Sequence, residues 1–356
     1  MNDARVQRTG WVAVFVLGLW ILFANVGCSP IGYYAQSVRG QLDVLARREP
    51  ISEKLASDTI EEPLKTRLRE VLDVRRFATE QLALPDNDSY RLYADLRREA
   101  MVWAVVATPE FSVEPLQWCY PVVGCAAYRG YFDRREAQDF ALDLQVEGMG
   151  VTVNPVPAYS TLGWFDDPLP GSVMHWPTYR IAGLIFHELA HQRLYVQGDS
   201  AFNEAFATAV QRLGVERWLR SRGDEKMLAA WREEERRRQA FVKLLLDTRD
   251  RLERLYVADN PPQVMRWRKH TLFTRLRSRY RFLRKEWGGY RGYDEWFARP
   301  LNNARFASVA TYEALVPAFL ALARSAEGDM AEFYRRADML GALSNAERAA
   351  RLRSML

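Results

Sequence analysis

The stretch His187-Glu188-Leu189-Ala190-His191 joins two imidazoles and a carboxylate at a spacing that specifies chemistry. On an α-helix, residues four apart lie on one face, so His187 and His191 can offer two ring nitrogens to a single metal ion. Zinc is the ion this pattern favours, and Glu188 stands where a base can take a proton from water held at the metal. The chain has only four histidines (His175, His187, His191 and His270), which makes chance pairing at this spacing uncommon. The apolar run Ile181 to Phe186 ahead of the motif marks a buried helix rather than a surface one.

Catalytic zinc usually takes three protein ligands. The metzincin pattern is excluded, because Leu194 and Gln197 stand where it needs glycine and histidine. Gly198 can end the first helix, and Asp199 or Ser200 can cap a second. His191 lies seven residues before Gly198 and Glu204 six after it. At ~1.5 Å per residue each is about 10 Å from the turn, so antiparallel helices bring them level. Glu204 also interrupts the apolar series Phe202, Ala205, Phe206, Ala209. Asp199 is the competing ligand, but turn aspartates more often cap. Two histidines on one helix with a glutamate on the next resembles the gluzincin arrangement.

The amino terminus carries Arg5 and Arg8, then the apolar run Trp11 to Ala24, then Gly27-Cys28-Ser29-Pro30. This is the layout of a secretory signal, and its apolar core is short against the ~20 residues of a membrane span. Gly27-Cys28 resembles the lipobox of bacterial lipoproteins, with Asn25 in place of the usual leucine. Cys28 is therefore expected to carry lipid, with a plain membrane anchor as the alternative. Ser29 points to the outer rather than the inner membrane, the body of the protein facing the periplasm.

Removing residues 1–27 takes away Arg5, Arg8 and Asp3, so the net charge falls from +5 to +4. So small a charge does not suggest nucleic acid as a partner. The arginines are local, as at Arg236-Arg237-Arg238 and at Arg275, Arg277, Arg279 and Arg281. Leu272, Leu276, Tyr280, Leu283 and Trp287 keep helical spacing through the same stretch, which reads as a helix with a solvated basic face. Contact with anionic lipid is the alternative. Cys119 and Cys125, six apart around Pro121 and Gly124, read as a local disulfide in an exported chain, against two reduced buried thiols.

Helical periodicity runs through 33–48, 61–82 and 88–107, punctuated by Pro50, Pro63 and Pro85. Residues 109–131 predict an ordered loop region, 133–147 a short helix and 148–153 a strand. Ala158 to Gly163 predicts a second strand at a sheet edge, where the preceding prolines are tolerated. The ligand helices are expected at 177–196 and 200–221, with more helices over 224–257, 262–287 and 302–354. The fold class is α+β and mostly helical: a zincin-like core with a small sheet beside the metal helix, plus C-terminal helices. The expected organisation is a signal at 1–27, a helical and loop region at 28–132, the metal-site core at 133–222 and a helical region at 223–356.

Six separated segments occur here in a familiar order: Gly27 to Tyr34, Trp118 to Pro121, Tyr128 to Phe132, Ala158 to Pro168, the metal helix, and Leu301 to Arg305. Together they resemble the putative aminopeptidase family of bacterial lipoproteins, over nearly the whole mature chain. The resemblance implies a gluzincin-like zinc peptidase, places Tyr159 to Trp164 near the metal, and pairs Cys119 with Cys125.

The expected activity is peptide hydrolysis, with one zinc ion on His187, His191 and Glu204 and with Glu188 as base. The expected edge strand would pair with substrate backbone, bringing Tyr159, Ser160 and Thr161 into contact with it. An aminopeptidase needs carboxylates for the substrate's ammonium group, and Asp166 and Asp167 end that segment, unless they cap the loop before Pro168. Tyr312 is the candidate donor to an oxyanion, with His175 and Tyr159 as alternatives. Rival readings are an envelope binding or assembly lipoprotein, a zinc endopeptidase and a cell-wall amidase. The first has no need of Glu188.

Overall fold

The structure, a computed structural model, describes residues 29–120 and 124–356. The expected signal and Cys28 lie outside the described residues. The chain divides into two compact units, residues 1–46 and 47–356. What is described of the first is a single helix, α1 (Ser29–Ala46).

The chain is α+β and mostly helical, with 62% helix against 10% strand, so helix packing carries the core and the sheets act as braces. The second unit opens with β1 (Arg48–Pro50), α2 (Ile51–Ala56) and α3 (Glu62–Leu82). Short strands follow: β2 (Leu92–Ala94), β3 (Val102–Thr108), β4 (Trp118–Tyr120), β5 (Gly124–Ala126) and β6 (Arg129–Tyr131). Next come α4 (Arg134–Val146), β7 (Gly150–Val156), β8 (Leu169–Pro170) and the two ligand helices, α5 (Thr178–Arg193) and α6 (Ser200–Ser221). The remainder is helical: α7 (Glu225–Val257), α8 (Pro262–Glu286), α9 (Asp294–Ala298), α10 (Asn303–Glu313), α11 (Val316–Ser325), α12 (Met330–Gly341) and α13 (Asn345–Arg353).

One antiparallel sheet has the order β6-β3-β7, with Ala104 opposite Gly130 on one side and Asn154 on the other. Helices α4 and α10 both pack on β3 and β7. A second sheet, β1-β2-β8, is antiparallel and then parallel, and β4 and β5 form a separate hairpin.

Two sequence expectations are corrected here. Residues 88–107 are not a helix: Tyr90 (φ 62°) and Arg97 (φ 49°) adopt left-handed backbone, which a right-handed helix cannot continue through. Val102–Thr108 is instead the middle strand, buried along nearly its whole length. A strand buried on both faces is an unbroken apolar run, and such a run has no period that tells it from a helix. Ala158 to Gly163 is not a strand either. The chain leaves β7 at Val156, and Leu162 (φ 57°) with Gly163 (φ 83°) turns it back. Pro155 lies inside β7, which is possible because β7 is itself an edge.

Helix α6 is the axis of the core. Fourteen of its residues, Phe202 through Leu219, are buried, because α3, α5, α7, α10 and α11 all touch it. The rings of Phe202, Phe206, Phe319, Phe333 and Tyr334 interlock on one side of it. On the other side α5 comes very close, at Gly183 and Gly214. A Cβ on Gly214 would sit 2.6 Å from the Phe186 ring and 2.7 Å from Leu82. Gly214→Val should therefore cost about 1–3 kcal/mol by overpacking, although valine is the better helix former. Urea unfolding checks this, and a variant as stable as wild type would refute the close-packing account.

Candidate metal centre

Three donor atoms converge between α5 and α6. His187 Nε2 lies 3.2 Å from His191 Nε2 and 3.2 Å from Glu204 Oε2, and His191 Nε2 is 3.5 Å from that same oxygen. Each of these side chains is only about a tenth exposed. Two imidazoles and a carboxylate are a zinc donor set, and bonds of ~2.0–2.1 Å at tetrahedral angles would set such donors about 3.3 Å apart. The residues therefore fit the ion in both chemistry and spacing. Burial raises the Glu204 carboxyl pKa, but His191 and His187 outweigh it and hold the group down at about 2. Glu204 thus stays a carboxylate.

The turn between the helices sets this convergence. Asn203 is buried, and its side-chain amide accepts from Val196 N–H and donates to Val196 O, both at 2.8 Å. Gly198 (φ 78°) makes the reversal, and Asp199 caps α6 through Phe202 N–H at 3.0 Å. The second Asp199 oxygen accepts from Arg348 at 2.8 Å. Asp199 is a cap, and both its oxygens are engaged away from the histidines. Arg193, at the end of α5, pairs with Asp338 at 2.8 Å, so α12 and α13 brace the turn from outside. From another side comes the β4–β5 hairpin, closed by the Cys119–Cys125 disulfide. A Cβ on Gly124 would lie 2.7 Å from Gln197 and 2.9 Å from Gly198 N, so only glycine lets the hairpin seat there.

Glu188 is buried beside the histidines and accepts a hydrogen bond from Ser160 N–H. Burial first, then the charges of Glu204 and Asp167, push its carboxyl up to about 7 against the opposing pull of His187. The segment that supplies Ser160 is tied down by Asp167, whose Oδ2 accepts from Thr161 N–H at 2.8 Å and, more weakly, from Gln192 Nε2 at 3.4 Å. Gln192 follows His191 on α5 and also meets Ser89 and Asn87. Asp167 therefore faces inward as a strut between loop and metal helix, while Asp166 is exposed.

Tyr312 reaches the centre from α10, where its hydroxyl donates to the Glu204 carboxylate. Burial, then the Glu204 charge, raises its pKa well above that of a free phenol. Two features aim this helix. At its start, Asn302 donates to Val151 O on β7 at 2.7 Å, and Asn303 donates to Glu110 O at 2.9 Å and Ser112 O at 2.8 Å. At its end, Glu313 accepts from Arg212 on α6 at 2.5 Å and from Arg238 on α7, and Arg238 is held in turn by Glu235 at 2.9 Å. Arg212 and Glu204 share a helix, so this network locks the tyrosine-bearing helix onto the ligand-bearing one.

Of the other sequence candidates, Tyr159 packs edge-on against Phe132. His175 is exposed in the loop ahead of α5, and its ring lies edge-on to Trp176. Sequence reasoning missed Tyr90 and Tyr195. Tyr90 is fully buried, its hydroxyl has no hydrogen-bond partner among the described residues, and burial followed by the Glu188 charge raises its pKa. Tyr195 feels burial and the Glu204 charge in the same direction. No local pattern marks either residue, although Tyr195 follows the metal helix directly.

The Asp167 strut makes a pH prediction. Burial pushes its carboxyl up to about 6, against the hydrogen bonds from Thr161 and Gln192. An unfolded aspartate titrates near ~3.9, so the native state holds the proton more tightly. The stability this gives is present below about pH 4 and is lost as pH rises through about 6. Relative to Asp167→Asn, wild type should lose about 2–3 kcal/mol between pH 4 and pH 7, read from paired urea curves. A pH-independent difference between the two proteins would rule out a raised, buried Asp167.

No curated protein and no solved structure shows a significant match to the chain. A family model does match it, across residues 32–352, a span that takes in both ligand helices, the Ser160 segment and Tyr312. With that match over most of its length, the chain belongs to the putative aminopeptidase family.

Proposed function

We propose that this protein is a zinc peptidase of the aminopeptidase type, lipid-anchored at Cys28 in the bacterial envelope, at the outer membrane, and facing the periplasm. The observation that carries the reading is the meeting of His187, His191 and Glu204 beside a buried, hydrogen-bonded Glu188, in a chain of an aminopeptidase family. Zinc on the two Nε2 atoms and the Glu204 carboxylate would polarise a carbonyl oxygen and bring the pKa of water from ~15.7 to about 7.

The chain's own groups have the remaining work. The Glu188 carboxylate takes a proton from water and delivers it to the leaving amine, tasks that suit a group titrating near neutrality. Ser160 N–H holds that carboxylate in place, so Ser160 supports the base rather than the substrate. The Tyr312 hydroxyl, already in the polar cluster, is the donor for a developing oxyanion. Asp167 is committed inward, which leaves Asp166 as the carboxylate of the loop that is free to meet a substrate ammonium group. The ligands' residual exposure of about a tenth implies a narrow approach, which admits a chain end more readily than the middle of a long polypeptide.

Glu188→Gln should keep a full complement of zinc yet lose about 10²–10⁴-fold in peptide hydrolysis, whereas Glu204→Ala should lose the zinc itself. Metal analysis and a peptide-library digest read both, and Glu204→Ala with full zinc would break the ligand assignment. Comparing a free-amine peptide with its N-acetylated twin then tests the aminopeptidase reading. Cleavage of both at one internal bond would make the enzyme an endopeptidase. The anchor is tested separately, by mass: wild type should carry acyl groups at Cys28 that Cys28→Ala lacks, and a wild-type protein without acyl mass contradicts lipidation.

A further inference from the structure

Helix α8 bears nine lysines and arginines and a single acid, Glu286. Its inner stripe, Phe273, Leu276 and Tyr280, is buried. On the opposite face Trp267 is 67% exposed and Phe282 64%. At ~100° per residue these two rings lie only about 60° apart around the helix, so both stand on one outward strip, ~22 Å apart along the axis with polar residues between them. Large exposed rings set among arginines are the pattern of a surface that rests on lipid headgroups.

Beside that strip, α8 and α9 enclose an open cavity of about 450 Å³, whose walls include Thr274, Arg277, Arg281, Arg284 and Asp294. Asp294 is already engaged, accepting from Tyr280 at 2.7 Å and pairing with Arg284 at 3.2 Å. Among the described residues Arg281 reaches only the Ser278 hydroxyl, at 3.0 Å. Arg277 is half-buried and makes no hydrogen bond or ion pair among the described residues. Nearby, Arg305 is buried on neutral backbone carbonyls of Trp296, Arg299 and Pro300. Arg284 is thus paired within the cavity, while Arg277 and Arg281 have no acidic partner among the described residues. Burial, then Arg299 and Arg277, push the Arg305 pKa down to about 10.

We propose that this cavity binds the phosphate headgroup of an anionic glycerophospholipid, with Trp267 and Phe282 seated in the lipid surface beside it. A phosphate can accept paired N–H donors from two guanidinium groups at once, which Arg277 and Arg281 offer from one flank of the helix. The cavity is larger than a bare phosphate needs and opens beside apolar rings, which favours a headgroup over the free ion. The site is separate from the metal centre and holds whatever that centre does.

The test uses the full chain in neutral detergent micelles, titrated by calorimetry with phosphatidylglycerol, with phosphatidylcholine, and with inorganic phosphate. Phosphatidylglycerol should bind in preference to the other two. Arg277→Ala/Arg281→Ala should weaken it about 25-fold, roughly fivefold for each arginine. Arg275→Ala/Arg279→Ala removes the same charge from the other flank of α8 and should bind as wild type does. Should the first pair fail to fold, Arg277→Gln alone should weaken binding about fivefold. All variants share the wild-type amino terminus, so an anchor there does not enter the comparison. Equal losses in the two double variants would reduce the effect to diffuse attraction and overturn the site. Equal binding of the two lipids, or inorganic phosphate binding as tightly as phosphatidylglycerol, would overturn the lipid assignment.

Discussion

Three electron-rich atoms held 3.2 to 3.5 Å apart in a nearly buried space repel one another unless a cation or a shared proton lies among them. Such a cluster cannot assemble itself, so the rest of the fold must impose it. The close approach of α5 and α6 at Gly183 and Gly214 brings the backbones together. Asn203 and Asp199 fix where one helix stops and the next begins, which sets the phase of Glu204 against His191. A shift of one residue in that turn would rotate Glu204 by ~100° and take it out of the cluster.

The Arg212, Glu313, Arg238 and Glu235 network has to be weighed in the same terms. Removing four charges from water costs several kcal/mol per ion, and their mutual attraction offsets this only with good geometry. Such a network is poor evidence for added stability. Its value here is directional: it fixes the end of α10 to α6 and α7, and so fixes where the Tyr312 hydroxyl points. The paired asparagines at the start of α10 do the same work with neutral groups, which carry a smaller desolvation cost.

The metal cluster was legible because each of its determinants is local. The i, i+4 histidines, the Gly198-Asp199 punctuation and the apolar series broken by Glu204 all lie within one stretch of the sequence, and helix geometry converts spacing into position. The long helices were legible for the same reason, being bounded by Pro63, Asp199, Asp224 and Pro262. The β3 region was not, since burial on both faces erases the alternation that identifies a strand. Nor was the irregular course of 158–163, which depends on a carboxylate at 167 and a glutamine at 192. Tyr90 was missed because its place beside Glu188 is created by tertiary packing and a left-handed backbone. Tyr312 was chosen on its proximity to the asparagine pair, while the network that aims it joins residues 75 and 101 positions apart.

Because Glu204 sits in the second turn of a helix packed against five others, the candidate metal centre is expected among the slowly opening parts of the molecule. Amides along α6 can exchange with solvent only when α3, α5, α7, α10 and α11 release it together, close to global unfolding. His187, His191 and Glu204 are therefore held as part of the helical core. The neighbouring segment is different: Thr161 is tied to Asp167, and beyond it Trp164 is 72% exposed and Phe165 46%. An enclosed stretch and an outer one thus meet where Ser160 N–H bonds to Glu188. A displacement of the outer loop would reach the Glu188 carboxylate through that contact before it reached His187, His191 or Glu204.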